Sequence, residues 1–152
     1  MSTNLPPAAP TKPETEYVGF WLRVVAALLD TLWVLALTVP LVLAVYGWRY
    51  FQEEELVRGP ADLLISYVLP AVLVIAFWSR KLATPGKMAI GAKIVDARTG
   101  AAPSLGQLVI RYLGYFVSTI PLGAGLLWVA IDRRKQGWHD KLAGTVVVRS
   151  RR

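Results

Sequence analysis

Residues 20–46 have the sequence FWLRVVAALLDTLWVLALTVPLVLAVY, a long apolar run that contains only two charged side chains. As an α-helix this run spans ~40 Å, which is more than the ~30 Å hydrocarbon core of a bilayer. It therefore predicts a membrane-spanning helix that tilts, bends near Pro40, or places its ends among the lipid headgroups. Trp21 near one end and Tyr46 at the other are suitable interfacial anchors.

The two charged residues inside the run are Arg23 and Asp30, which lie two helical turns apart on the same face. Arg23 can extend towards the headgroups, whereas Asp30 lies about 10 Å deeper, where a charged side chain costs ~2.5–3.5 kcal/mol. Because both side chains lean the same way along the helix, we do not expect a direct bond between them. Arg111, the basic residue inside the third apolar region, is the expected partner of Asp30. The buried carboxylate is either a functional site or an ion pair that locks the helices together.

Two further apolar stretches follow. Residues 63–79 have about the minimum length for a crossing and contain Pro70, which a membrane helix tolerates. Residues 105–131 begin at a capping box formed by Ser104 and Gln107. One proline and two glycines interrupt this stretch. As one straight helix this third region crosses the bilayer once. As a broken pair of short helices it enters and returns on the same side.

The distribution of basic residues favours the second alternative. Five basic residues lie between the second and third stretches and seven follow the third, whereas the connection 47–62 has two basic residues against four acids. A third crossing would put the two basic clusters on opposite faces, against the positive-inside rule. A hairpin keeps both clusters in the cytoplasm and allows two strand-like segments, 92–96 and 145–149, to pair.

These patterns predict an all-α membrane protein with two transmembrane helices, a broken third apolar region (a helical hairpin or a third crossing) and a small cytoplasmic β-hairpin-like cap. Residues 1–17 are rich in Pro, Ala, Thr and Glu, and we expect a disordered tail with a cytoplasmic N-terminus. Residues 18–149 form the predicted membrane domain, and residues 150–152 form a basic tail.

Composition excludes several classes of function. Of the 152 residues, 55% are hydrophobic and none is cysteine, which excludes disulfides, thiolate metal sites and a cysteine nucleophile. The net charge of +7 raises nucleic acid as a partner, but the basic residues border apolar runs and so indicate anionic lipid headgroups instead. We expect no nucleic-acid partner, no metal and no cofactor. Because no residue pattern resembles a catalytic triad, we expect no enzymatic activity.

The segment Thr84-Pro85-Gly86-Lys87 has the features of a helix start, since an N-cap residue precedes proline at the first helical position. It lacks the spaced glycines and the following Ser or Thr of a phosphate-binding loop, so we do not expect it to bind a nucleotide. We interpret it as the start of a short interfacial helix.

His139 and Asp140 are adjacent in sequence, so their side chains need not converge. A lone histidine cannot build a metal site by itself. For His139, a turn residue bonded to nearby backbone is favoured over a proton relay.

Several segments resemble the RDD family of bacterial membrane proteins, which is named for an arginine and an aspartate in the first helix and a second aspartate. In chain order they are GFWLRVVAALLD at 19–30, TPGKM at 84–88, IVD at 94–96, Arg111, and GWHDKLAGTVVV at 137–148. The resemblance assigns Arg23 and Asp30 to the first two signature positions and Asp140 to the third, with Asp132 as the rival. It implies a multi-spanning protein of the bacterial inner membrane with a largely undefined activity, for which transport is the usual suggestion.

Three functions remain as hypotheses. The first is an oligomeric ion-coupled transporter in which Asp30 binds a proton or cation; two or three crossings supply few walls for a pathway, so self-association is implied. The second is a non-catalytic assembly or regulatory subunit whose basic cytoplasmic cap docks a partner or anionic lipid. A membrane-embedded enzyme is the least favoured of the three.

Overall fold

The first apolar run forms one long helix. In the computed structural model, which describes residues 14–52 and 55–151, helix α1 spans Phe20–Tyr46. It ends at Gly47, whose φ of 67° lies in the region that favours glycine. Many of its apolar side chains point outward, Trp21 and Leu32 among them, as expected for a helix that faces lipid.

The second apolar stretch is helical over a longer range than the predicted residues 63–79. Its consecutive segments are α2 at Pro60–Asp62, a wide π-helical turn at Leu63–Val68, and α3 at Leu69–Lys81. Pro70 has no N–H for the carbonyl group of the fourth residue before it, and the widened turn contains that carbonyl group. The chain then enters the short helix α4, Pro85–Ala89.

The third apolar region is broken, as the sequence predicts. Helix α5, Leu105–Thr119, begins at the predicted capping box, in which Ser104 and Gln107 exchange side-chain to backbone hydrogen bonds. Helix α6, Ala124–Ile131, follows a short turn and is inclined at 101° to α5. A further helix, α7 at Trp138–Ala143, packs back against α5.

A three-stranded antiparallel sheet closes one end of the helices. Strands β2, Ala92–Asp96, and β3, Thr145–Ser150, pair with each other as predicted. Strand β1, Thr15–Tyr17, pairs with the other edge of β3, so the strand order is β1-β3-β2. The sequence therefore predicts two of the three strands of this sheet and misses β1. Because β2 precedes α5 and β3 follows α7, the sheet holds both ends of the third apolar region at the same end of the protein.

Both predicted tail boundaries need correction. Thr15–Tyr17 fall within the predicted disordered tail but form β1, a strand too short to show a hydrophobic period. At the other end Ser150 belongs to β3, and the Arg151 N–H donates to the Glu14 carbonyl at 2.8 Å. Residues 1–13 of the first predicted tail and residue 152 of the second lie outside the described residues.

The packed core lies where the sheet meets the helix ends. Its most buried members are Val18, Trp78, Ala92, Ile94, Leu108 and Val147. By length and composition, the described residues contain two helices able to cross a membrane, Phe20–Tyr46 and Pro60–Ala89, or three spans if the bent α5–α6 pair counts as one. The fold is therefore mostly helical and membrane-compatible, with a small sheet at one end.

Candidate functional site

Asp140 lies at the centre of a buried polar cluster between the sheet and the helices. It is in the first turn of α7, and its carboxylate accepts a hydrogen bond from the Gly137 N–H at 3.0 Å. Its exposure is 0%. A buried carboxylate requires charged or hydrogen-bonding partners, and two other helices supply them here.

Arg23 of α1 and Arg111 of α5 both bind this carboxylate. Arg23 Nη1 lies 2.6 Å from Asp140 Oδ2, and Arg111 Nη1 donates to Oδ1. Arg111 Nη1 also donates to the hydroxyl of Thr145, the first residue of β3, at 2.7 Å. The cluster thus joins the first helix, the broken third region, the last helix and the sheet.

Arg23 turns inward instead of extending towards the headgroups. Its Nε donates to the Val18 carbonyl at 3.1 Å and its Nη2 to the Lys135 carbonyl at 2.5 Å. The side chain is 12% exposed. Snorkelling is unnecessary here, because acceptors from three separate segments surround the guanidinium group within the protein.

Charge decides the protonation state of Asp140. Burial by itself raises the pKa of its carboxyl group, but the charges of Arg111 and Arg23 outweigh that effect and hold the pKa well below its usual range. The group is therefore ionised. Asp132, the rival for the second aspartate of the signature, instead lies 2.5 Å from Lys141, whose side chain is 45% exposed.

Asp30 has a separate set of partners at the start of α4. Its Oδ2 accepts a hydrogen bond from the Thr84 hydroxyl at 2.5 Å and lies 3.3 Å from Lys87 Nζ. Its Oδ1 accepts one from the Gly86 N–H at 2.7 Å and one from the Trp33 indole at 3.2 Å. Both carboxylate oxygens are thus engaged, and one of them faces a cation.

The predicted pairing of Asp30 with Arg111 is wrong. Arg111 binds Asp140, whereas Asp30 faces α4. The position of Asp30 along α1 defines its helical face but not the segment that packs on that face. Arg23 also binds Asp140, and the described acceptors of its guanidinium group are Val18, Lys135 and Asp140.

The start of α4 packs tightly onto α1. Thr84 is its N-cap residue and proline follows, as the sequence predicts, but the Thr84 side chain bonds to Asp30 and does not cap its own helix. A Cβ atom on Gly86 would meet the Ala26 carbonyl oxygen at 2.1 Å and Asp30 Oδ1 at 2.8 Å. Gly86 is therefore required by this close approach.

His139 is buried in α7, which corrects the prediction of a turn residue. Its ring stacks on that of Tyr115, with centroids 3.9 Å apart, and its Nδ1 lies 3.4 Å from the Ser118 hydroxyl. Its Nε2 lies 3.4 Å from Asp140 Oδ2, so the adjacent side chains do converge. Burial lowers the pKa of His139 to about 3, against the opposing attraction of Asp140. The imidazole is therefore neutral at physiological pH.

Aromatic rings flank the fully buried Arg111. The carbon of its guanidinium group lies 5.4 Å from the Trp78 ring centre and 5.8 Å from that of Tyr115. Cation–π contacts of this kind compensate a desolvated arginine in part. Among the described residues, Nε and Nη2 of Arg111 have no hydrogen-bond partner.

The sequence reasoning missed a third carboxylate cluster, at the far end of α1. Asp62 is fully buried and accepts hydrogen bonds from Tyr50 at 2.7 Å, from Ser66 at 2.6 Å and from the Arg58 N–H at 2.9 Å. It fastens the connection between α1 and α2. The four-residue spacing of Asp62 and Ser66, which places both on one helix face, is the pattern that indicates this contact.

The chemistry of the site is charge pairing. Across residues 14–52 and 55–151, no group of three or more His, Cys, Asp or Glu side chains is arranged to hold a metal ion. The signature carboxylates each contact basic side chains and hydrogen-bond donors from distant parts of the chain.

The fold and the site define a class: a mostly helical protein with membrane-compatible helices, a small antiparallel sheet, and an arginine–aspartate cluster that ties the first helix to the last. Residues 17–144 match the RDD family, and the chain belongs to that family.

Three relatives carry no stated activity in their names. Uncharacterized protein YckC of Bacillus subtilis is 35% identical over 137 residues, which are 85% of this chain and 82% of that protein. Uncharacterized protein YxaI of Bacillus subtilis is 28% identical over 146 residues, with 86% and 95% covered. Uncharacterized protein RP437 of Rickettsia prowazekii is 43% identical over 76 residues, half of this chain but 42% of that protein's length. No solved structure matches the chain.

Proposed function

We propose that this chain is a non-catalytic, multi-pass subunit of the bacterial inner membrane whose sheet end lies in the cytoplasm against anionic lipid headgroups. Exposed basic side chains at that end support the proposal. They are Arg80, Lys81, Lys93, Arg98, Arg133, Arg134 and Arg151. Anionic lipids of the cytoplasmic leaflet attract such side chains by about 1 kcal/mol each near the surface.

The pairing of β2 with β3 supports a same-side return of the third apolar region. The two strands flank that region in sequence, and the 101° bend between α5 and α6 is incompatible with one straight crossing. A return of this kind keeps both basic clusters on one side, in agreement with the positive-inside rule. Strand β1 joins the same sheet, which supports a cytoplasmic N-terminus.

The observation that carries the proposal is that both carboxylates of the signature already have cationic partners from the same chain. Asp140 lies between Arg23 and Arg111, and Asp30 contacts Lys87 and the start of α4. A carboxylate that has a fixed cation from its own chain is already compensated without a transported ion. We therefore assign these residues to holding α1 against α4, α5 and α7.

An oligomeric ion-coupled transporter is the second candidate, and one observation favours it. Lys87 Nζ lies 3.3 Å from Asp30 Oδ2, and the two side chains are 11% and 18% exposed. A pair this long, in which both side chains keep some exposure, can be exchanged for a pair between Asp30 and an incoming proton or cation. Flux and stability measurements on the same variants separate the two functions.

The test compares Asp30→Asn with the double variant Asp30→Asn/Lys87→Met. The full chain and its variants are reconstituted in liposomes for ion flux and unfolded in detergent micelles for stability. For the non-catalytic subunit, Asp30→Asn lowers the free energy of unfolding by ~2 kcal/mol because Lys87 loses a charged hydrogen-bond partner. The double variant regains part of that loss because no buried cation is left unpaired. Glu16→Gln, at the pair with Arg149 in which both side chains are 36% exposed, serves as the control.

The two functions predict opposite results. The proposed subunit shows no ion flux above that of protein-free liposomes, before or after substitution. Flux by the unsubstituted chain that disappears in Asp30→Asn, with the free energy of unfolding unchanged, would establish the transporter and overturn the proposal.

A further inference from the structure

A groove of about 150 Å³ lies between the start of α1 and helix α6. Its apolar wall consists of Phe20, Val24 and Ala27 on one face of α1, together with Leu126 and Val129 on α6. The α1 residues are spaced by four and three positions and so form a single stripe along the helix. We call this cavity the α1–α6 groove.

The α1–α6 groove is also lined by the polar or charged residues Arg23, Lys87 and His139 and by Tyr115. Arg23 and Lys87 are cations with side chains 12% and 11% exposed. His139 is 2% exposed, and within the described part of the chain its Nε2 makes no hydrogen bond. Asp140 Oδ2 lies 3.4 Å from this nitrogen but already accepts hydrogen bonds from Arg23 and Gly137, so the buried Nε2 lacks a partner of its own.

The charges of the ion-pair cluster beside the groove do not balance. The described side chains of the cluster include three cations, Arg23, Lys87 and Arg111, but two carboxylates, Asp30 and Asp140. The neutral imidazole of the adjacent histidine contributes no charge. The excess positive charge arises because Arg23 shares the single carboxylate of Asp140 with Arg111, which does not line the groove. An anion in the groove can offset that excess beside Arg23.

The direction of the groove defines the shape of that anion. Arg23 lies near the sheet end of α1, and the apolar stripe continues to Ala27, about 10 Å along the helix from Phe20. A polar group at the level of Arg23 and an apolar chain beside Ala27 would match both parts of the groove. An inorganic ion would leave the apolar wall unfilled.

We infer that the α1–α6 groove binds one anionic phospholipid, with its phosphate at Arg23 and Lys87 and an acyl chain along the apolar wall. The inference builds on the proposed membrane placement, in which the sheet end lies at the cytoplasmic headgroups. The lipid phosphate supplies the missing negative charge and an acceptor or a bridging water for His139. The acyl chain continues along α1 towards the centre of the bilayer.

Native mass spectrometry of the full chain tests this inference. The protein is purified in detergent, stripped of lipid, and titrated with phosphatidylglycerol or with phosphatidylcholine of the same chain length. We expect one phosphatidylglycerol per chain, bound about tenfold more tightly than phosphatidylcholine. An affinity difference of this size is what one additional charge-assisted contact provides. A third titration with sodium phosphate in lipid-free detergent asks whether a free ion occupies the same place.

Two substitutions on α1 provide a matched comparison. Ala27→Phe fills the groove without altering any charge, and Ala36→Phe adds the same ring at an exposed position of α1 outside the groove. We expect Ala27→Phe to weaken phosphatidylglycerol binding about tenfold and Ala36→Phe to leave it unchanged. Leu126→Trp narrows the groove from α6 and serves as a second blocking variant if Ala27→Phe shows a lowered thermal midpoint.

Equal binding of the two lipids, or full phosphatidylglycerol binding by both blocking variants, would overturn the inference. Phosphate that binds as tightly as phosphatidylglycerol would also overturn it, because the apolar wall would then contribute nothing. These outcomes are independent of the flux experiment. If the chain binds both lipids equally and shows no ion flux, the groove site alone is refuted. If it prefers phosphatidylglycerol and shows flux that depends on Asp30, the proposed function alone is refuted.

Discussion

Acidification should destabilise the folded protein through its single histidine. Burial lowers the pKa of His139 to about 3, whereas an unfolded histidine titrates near pH ~6.5. Below pH ~6.5 the unfolded chain therefore binds a proton that the folded chain does not, so the free energy of unfolding falls as the pH falls. The loss is small at about pH 7.5, reaches about 1.4 kcal/mol at about pH 5.5, and stops increasing near about pH 3.

Denaturant unfolding in detergent micelles measures this effect, with the fluorescence of the six tryptophans as the signal. The matched variant is His139→Phe, which keeps an aromatic ring against Tyr115 but has no group that titrates. Carboxyl groups titrate mainly below this pH window and the Lys and Arg side chains above it, so the difference in slope between the two proteins isolates the histidine. We expect the variant's free energy of unfolding to be nearly constant between about pH 7.5 and about pH 5.5.

The slope is the decisive quantity, because His139→Phe changes packing as well as charge. A free energy of unfolding that is the same at both pH values in the unsubstituted chain would refute the neutral, buried imidazole. The same slope in both proteins would assign the effect to another group.

Two further predictions concern the buried ion pairs of Asp140 and the close approach of Gly86 to α1. Asp140→Asn leaves buried arginines uncompensated and should lower the free energy of unfolding by ~3–5 kcal/mol. Glu16→Gln at the pair with Arg149, in which both side chains are 36% exposed, should cost ~1 kcal/mol or less in the same denaturant assay, and equal losses would contradict the buried pairing. Gly86→Ala forces a Cβ atom against the Ala26 carbonyl oxygen and should lower the thermal midpoint, because overpacking of this kind costs ~1–3 kcal/mol. Gly106→Ala in α5, whose added Cβ has no neighbour closer than 3.9 Å, should be neutral or stabilising. A Gly86→Ala variant as stable as the unsubstituted chain would show that α4 does not pack on α1 in this way.

Local chemistry explains why the helices could be predicted. The run from Phe20 to Tyr46 is apolar apart from Arg23, Asp30 and two threonines, and it lies between two glycines, so its extent as a helix follows from composition. The proline and glycines between α5 and α6 predict the break for a similar reason, because they interrupt helical hydrogen bonding. Strand β1 escaped prediction because a three-residue strand carries no period, and its stability comes from pairing with β3.

The partners within the site depend on tertiary packing, which local patterns do not contain. Helical spacing defines the face of α1 on which Asp30 lies and its distance from Arg23, yet it cannot show that α4 rather than α5 supplies the partners. Arg23 and Asp140 are separated by 117 residues, and no periodic pattern links them. The family resemblance supplied Asp140, while the structure supplied the partner of each carboxylate.

The geometry of Arg23 gives a physical reason for an arginine at the first position of the signature. Its Nε binds the Val18 carbonyl next to β1, its Nη2 binds the Lys135 carbonyl before α7, and its Nη1 binds Asp140 within α7. Lysine has a single compact ammonium group and cannot span three acceptors arranged around a planar fork. One side chain, Arg23, thus holds the start of α1, the sheet and the last helix together, so displacement of any one of them strains the other two contacts. The same guanidinium group also lines the α1–α6 groove, and an anion bound there would therefore act on the junction that holds the fold together.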